Sequence, residues 1–409
     1  MNAESKASDV VVIGGGIVGA SIAFRAACAG LSVTLVERGR CGGGASWAGA
    51  GIIDPGSEAR SDPLAVLRKA SVARYPDFVA ELRERSGVDP QLIRCGILDL
   101  ITDDNQDAAT DREVKAAAGR LTADGRLAIE RLSTRQARAL EPALSRRIRG
   151  ARLTREAMQV RNPRLMSALR LACIQAGVRL LEHTPVLNLT FDGQRVSGVQ
   201  TPDAALAADH VVIAAGAWSS RIDRRLDGLI EVHPVRGQIV LLEQTPPPLK
   251  CVIMSGRKYI VCRADGRILC GSTEEPRAGF DARSTAGGTH EILSFVHRYV
   301  PSLESATLLR SWAGLRPASR DNKPYIGPVK DTPGLIAATG HFRSGLTLAP
   351  VTADIVVRLL TSRDPDFDLT PFIPGRPAAH EANAGPPCDD SHPGRRCAPT
   401  TRTGNEKPD

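Results

Sequence analysis

Aromatic residues are scarce in this 409-residue chain: eight Phe, four Tyr and three Trp, against a hydrophobic share of 42%. That apolar share supports two to three domains with packed cores and excludes a disordered chain, while the shortage of rings argues against an aromatic-rich β-sandwich. The nine cysteines contain no Cys-x-x-Cys pair and no His/Cys grouping at zinc spacing, so neither a redox dithiol nor a structural zinc is indicated. The apolar run from Val10 to Phe24 is too short and too glycine-rich to span a bilayer, and no membrane role is expected. Residues Met1 to Asp9, with Glu4 and Asp9 around Lys6, lack the pattern of a secretory signal, so a cytoplasmic protein is expected. Lysine is rare as well, and nearly all of the 53 basic residues are arginines. The formal charge is +8, and it sits on the body, because the stretch from Asp366 onward is slightly acidic. No run of five or six like charges occurs, which favours small anionic ligands over nucleic acid.

What the chain has in plenty is glycine, 38 residues, which suits an α/β protein with many tight turns. Asp9 to Ile13 reads as a buried strand running into Gly14-Gly15-Gly16-Ile17-Val18-Gly19, followed by helical composition from Ala20 to Ala29. This is Gly-x-Gly-x-x-Gly in the setting that gives it meaning. Gly14 permits the tight turn, Gly16 lets backbone approach a pyrophosphate, and Gly19 lets helix pack on strand, while the helix N-terminus offers unpaired N–H groups. Leu31 to Val36 makes the next strand and Glu37 ends it; a carboxylate there accepts from an adenosine ribose, which selects FAD or NAD over NADP.

Further along, residues 102 to 140 read as solvated helices with recurring Leu121, Leu127 and Leu132. Asn162 reads as the N-cap of a helix whose first residue is Pro163 and which ends at Gly177. A hairpin is expected over Val186 to Val199 about Asp192-Gly193, and a second strand-rich region over Gln238–Leu242, Lys258–Cys262 and Arg267–Cys270 about Asp265-Gly266. From Gly345 onward Leu348, Val351, Ile355 and Leu359 share a helical face, and Pro350 is acceptable there only within the first turn. Asp366 to Asp409, rich in proline and without periodicity, reads as a mostly disordered tail.

Three motif-like segments carry a more specific likeness. Cys41-Gly-Gly-Gly-Ala-Ser-Trp-Ala-Gly-Ala-Gly-Ile-Ile53, Val211-Val-Ile-Ala-Ala-Gly-Ala-Trp218, and Ser311-Trp-Ala-Gly-Leu-Arg-Pro317 with Asp321 to Gly327 and Gly340-His-Phe-Arg-Ser-Gly-Leu346 resemble the thiamine-pathway glycine oxidases, flavoproteins of the D-amino-acid oxidase superfamily. The resemblance is collinear over residues 9 to about 360. It implies an α/β fold: a discontinuous Rossmann-like FAD domain (1–90, 150–225, 313–365) and an α+β substrate domain on a mixed or antiparallel sheet (91–149, 226–312), followed by the tail (366–409).

By the same resemblance, FAD contacts fall on Ile17, Val18, Glu37, Arg38, Ala45, Ser46, Ala50, Gly51, Ile52, Val186, Gly216, His341, Phe342, Arg343, Ser344, Gly345, Leu346 and Thr347, beside Gly14, Gly16 and Gly19 of the turn. No cysteine lies between Ser311 and Lys330, where the sarcosine-oxidase branch attaches its flavin, so non-covalent FAD is expected. Arg316 matches the family's carboxylate-binding arginine, Tyr259 the tyrosine that adds a second bond, and Arg343 a further arginine at the substrate. His233 reads as structural. The implied activity is oxidative deamination of glycine, or of sarcosine and small D-amino acids, with dioxygen as acceptor, in a tetramer that feeds thiazole synthesis. A dehydrogenase, a tRNA-acting flavoprotein and a non-catalytic FAD-binding subunit stand as alternatives. The effect of Glu274-Glu275-Pro276 on substrate choice is left open.

Overall fold

The run Val10 to Ile13 is apolar at every position because its strand is covered on both faces, the condition of a central parallel strand. The protein is described by a computed structural model over residues 7–56 and 62–377. Strand β1 (Ser8–Ile13) leads through the glycine turn into helix α1 (Ile17–Cys28) and back to β2 (Val33–Val36), which pairs parallel to β1 with Val12 opposite Leu35. On the other side of β1 lies Ala205–Ile213, also parallel, followed by Leu335–Thr339, so the first sheet has eight strands when the hairpin 188–200 and two edge strands are counted. The hairpin about Asp192-Gly193 forms as expected. Helices α2 (Pro63–Ser86) and α3 (Asn162–Gln175) join α1 in one core, where Phe24, Tyr75, Phe78, Leu165 and Leu169 are buried together.

A second eight-stranded sheet is mixed. Strands β3 (Val232–Glu243) and β4 (Thr307–Ser319) pair antiparallel along almost their whole length, and Arg267–Gly271, Lys258–Cys262 and Val252–Ser255 continue the sheet. Val252–Ser255 then pairs parallel to Ile97–Ile101. Helix Ala286–Tyr299 seals one face with Ile292, Phe295 and Val296. Helix α4 (Gly345–Leu360) returns the chain to the first sheet and buries Leu348, Val351 and Ile355 there.

Several expectations need correction. Gly150–Thr154 is a strand of the second sheet, and β4 runs unbroken through the border expected at 312/313, so those two boundaries do not follow the sheets. In the region 102–140 only Asp104–Ala117 and Thr134–Leu140 are helical; Leu132 lies in strand Ile129–Ser133, and Leu121 and Leu127 bridge each other at the surface. The cap of α3 is Arg161; Asn162 is its first residue, and its buried side chain serves the site. Pro350 lies beyond the first turn of α4. Its missing N–H leaves the Leu346 carbonyl without its helical donor, and the buried Tyr75 hydroxyl of α2 supplies one at 2.5 Å. Part of the expected tail is folded: Phe372 is buried, and Arg376 donates to Asp321 and covers the Tyr325 ring. Residues 378–409 of that tail, like 1–6 of the stretch read for a signal, lie outside the described residues.

Candidate active site

One cavity of about 1020 Å³ runs from the glycine turn to the second sheet. Every residue expected to hold FAD or substrate lines it except Gly19. Gly19 instead does what its spacing demands: a Cβ there would lie 2.0 Å from the Gly14 carbonyl oxygen, so helix and turn meet only through glycine. Gly14 has φ +105°, and a side chain would strike the Ala214 carbonyl at 2.4 Å.

At this end the Glu37 carboxylate accepts the Gly15 and Gly39 N–H groups at 2.7 and 2.8 Å, which pins it at the cavity wall. The first amide of α1 is not open as expected: Ile17 N–H donates to Ser46 Oγ at 2.8 Å, so Ser46 caps the phosphate-facing helix while lining the cavity. Arg38 stacks on Trp218, its guanidinium 3.4 Å from the ring centroid, and Trp218 in turn rests on Phe280.

The middle of the cavity is walled by residues 44–52, and their position is fixed by donors from elsewhere in the chain. Asn162 Nδ2 donates to the Ser46 carbonyl at 2.7 Å, Trp312 Nε1 to Ala48 at 3.0 Å, and Arg263 Nη2 to Ala50 at 2.7 Å. The alternate carbonyls of Ser46, Ala48 and Ala50 are thus held. Gly51 turns the chain at φ +77°, where a Cβ would lie 1.9 Å from the Val160 carbonyl oxygen. Arg263 is buried, and desolvation brings its guanidinium down to about 10, still a cation at neutral pH. None of these three donors is expected at the site from sequence: Asn162 reads there as a helix cap, Trp312 only as part of a family-like segment, and nothing marks Arg263.

Opposite, the segment 340–347 enters α4. His341 is buried, its Nε2 3.1 Å from Thr352 Oγ1, and burial pushes its pKa to about 3, so the ring is neutral. Arg68 of α2 donates to Ser344 Oγ at 2.5 Å, and both line the cavity with Asp54.

At the second-sheet end, β4 carries Arg316 opposite Val235 of β3, and the guanidinium lies against Gly237, where a Cβ would be 2.1 Å from Nη2. Arg316 Nη2 donates to Ser272 Oγ at 2.5 Å and Nη1 to the Thr273 carbonyl at 3.2 Å. Tyr259 is buried; desolvation raises its phenol and Arg316 partly offsets that, and its hydroxyl also meets Ser272. Ser272 therefore joins the two, a role no sequence signal marked. Arg343 donates to the Arg257 carbonyl at 2.8 Å. Of the acidic pair, Glu275 is bound to Arg236, Gln238 and Thr273, whereas Glu274 pairs with Arg257 and faces Arg343 at 3.6 Å. His233 is exposed and lies off the cavity.

A parallel sheet whose glycine turn meets a helix N-terminus, joined by one cavity to a second sheet that presents the Arg316 guanidinium, defines a dinucleotide-dependent enzyme. Residues 9–359 match the FAD dependent oxidoreductase family, DAO, and the chain belongs to that family, with FAD as its cofactor. The glycine oxidase of Pseudomonas putida is 36% identical over 367 residues, covering 89% of this chain and 98% of that one. The crystal structure of glycine oxidase from Geobacillus kaustophilus superposes with a TM-score of 0.86 at 34% identity, covering 91% of this chain and all of that one. Iminodiacetate oxidase from Chelativorans gives 0.79 at 28% identity, covering 89% and 98%. The residues present fit the cofactor: the glycine turn, the pinned acid and the held carbonyl row leave the cavity open where side chains would fill it. Among the described residues, no cysteine lines the cavity. Among the described residues no helix is long and apolar enough to cross a membrane.

Proposed function

We propose that the protein oxidises a small α-amino acid, glycine first, to an imine that water converts to the oxo acid and ammonia. The observation that carries this reading is the half-buried Arg316 guanidinium, which lines the cavity and is hydrogen-bonded to neutral oxygens. Those bonds use one N–H on each terminal nitrogen and leave a second on each, the fork that takes a carboxylate bidentately. Tyr259, kept protonated by burial, donates a further bond to the same carboxylate. Bound in the cavity, FAD supplies the two-electron acceptor. The chain's own part is orientation: with the carboxylate gripped, Cα is carried toward the middle of the cavity, and Ile239, Met254 and Leu315 give that end an apolar wall. His341 is held neutral with Nε2 on Thr352 and is no base near neutral pH.

With dioxygen as terminal acceptor, glycine, water and dioxygen give glyoxylate, ammonia and hydrogen peroxide, while imine consumed before it hydrolyses feeds thiazole synthesis. The likeness to glycine oxidases over most of the chain supports this substrate. A second reading, an amine flanked by two carboxylates, is favoured by two of the cavity-lining arginines, Arg316 and Arg343, lying at the substrate end, and by the iminodiacetate-oxidising neighbour. Coupled assays decide: the proposal expects one glyoxylate and one peroxide per glycine consumed and a kcat/KM for glycine above that for iminodiacetate, and it falls if glycine yields neither product.

A further inference from the structure

Two guanidinium groups line the substrate end of the cavity, yet the two are not electrically equivalent. Arg316 is bonded to neutral oxygens, whereas Arg343 stands 3.6 Å from Glu274 Oε2. That oxygen is buried and accepts no hydrogen bond, so what it gives Arg343 is charge; the position of Arg343 is set by its bond to the Arg257 carbonyl. The other cation on Glu274, Arg257, has a side chain 66% exposed, whereas Glu274 is 15% exposed and Arg343 30%. Water screens the outer pair more than the inner one, so the negative charge of Glu274 is felt mainly on the cavity side. Glu275, its neighbour, is committed to Arg236, Gln238 and Thr273.

We propose that Glu274 is a charge filter: by compensating Arg343 it leaves one net cation at the substrate end, so that the site accepts one carboxylate and rejects a second. The inference rests on the amino-acid-oxidising reading of this cavity and decides between its two substrate classes. A second carboxylate placed near Arg343 meets a compensated guanidinium and, within a few ångströms, the Glu274 carboxylate itself. Like charges at that range in a partly buried site cost an affinity factor of at least about ten.

The test uses the FAD-loaded full chain and two unreactive ligands of one shape, malonamate with a single charge and malonate with two, titrated through the change each causes in the flavin spectrum. The wild type is expected to bind malonamate at least about tenfold tighter than malonate, and in Glu274→Gln the two affinities converge to within about threefold, chiefly through tighter malonate. A purely structural role for Glu274 would weaken both ligands alike. Should Glu274→Gln fail to hold flavin, Glu274→Met, of similar length and also uncharged, is expected to give the same convergence. An unchanged ratio in a flavin-loaded variant, or a wild type that prefers malonate, overturns the filter and leaves the amino-acid reading intact. If neither malonamate nor acetate perturbs the flavin, the amino-acid reading fails and the filter with it.

Discussion

Gly237 and Gly51 show how a single absent side chain shapes chemistry. A methyl at Gly237 would fall 2.1 to 2.5 Å from three atoms of the Arg316 guanidinium, the far end of a flexible side chain that can swing away. Gly237→Ala is therefore expected to fold with nearly unchanged thermal stability while the clamp is displaced, and steady-state assays should show the glycine KM raised about ten- to a hundredfold with FAD retained. Gly51 is the opposite case. Its methyl would meet backbone, the Val160 carbonyl at 1.9 Å, at a φ of +77° that an L residue resists, and nothing there can turn aside. Gly51→Ala is expected to distort the segment that walls the cavity and to lose cofactor, read as a fall in the ratio of flavin to protein absorbance after gel filtration.

The start of helix α4 at Gly345 and its buried face were legible in its own residues, since spacing and a glycine at the helix start are local signals. The toleration of Pro350 was not, because the group that makes it harmless, the Tyr75 hydroxyl, lies 271 residues from the Leu346 carbonyl it serves. Tyr75→Phe should strand that buried carbonyl and cost about 1–3 kcal/mol in urea unfolding. In a Pro350→Ala background, where a helical N–H can reach Leu346, the same change should cost less, and equal costs in both backgrounds would refute the coupling. The segment 44–52 teaches the same lesson. Its small residues announced a close approach, but its three donors come from 116, 264 and 213 positions away, and no periodicity in the chain marks them.

For the molecule as a whole, the dinucleotide half was legible because turn, helix and acid are bound by short-range geometry. The substrate half was legible chiefly through family likeness, since Arg316, Tyr259 and Ser272 meet only when strands distant in sequence pair within the second sheet. Global stability carries its own signature in His341, whose buried ring has a pKa of about 3 against the usual 6.5. As pH falls below 6.5 the unfolded chain takes up this proton and the folded one does not, so stability present at neutral pH is lost toward pH 3; between pH 6.5 and 5 the loss is about 2 kcal/mol. His341→Gln should lack that share of the decline in urea unfolding, and an identical pH slope would refute it. The central claim, that Arg316 grips the carboxylate of an amino acid within reach of the flavin, is tested most directly by anaerobic titration of the yellow protein with glycine. Wild type is predicted to bleach fully, and Arg316→Gln, with FAD still bound, to need at least about a hundredfold more glycine; bleaching of both at the same glycine concentration would contradict the account.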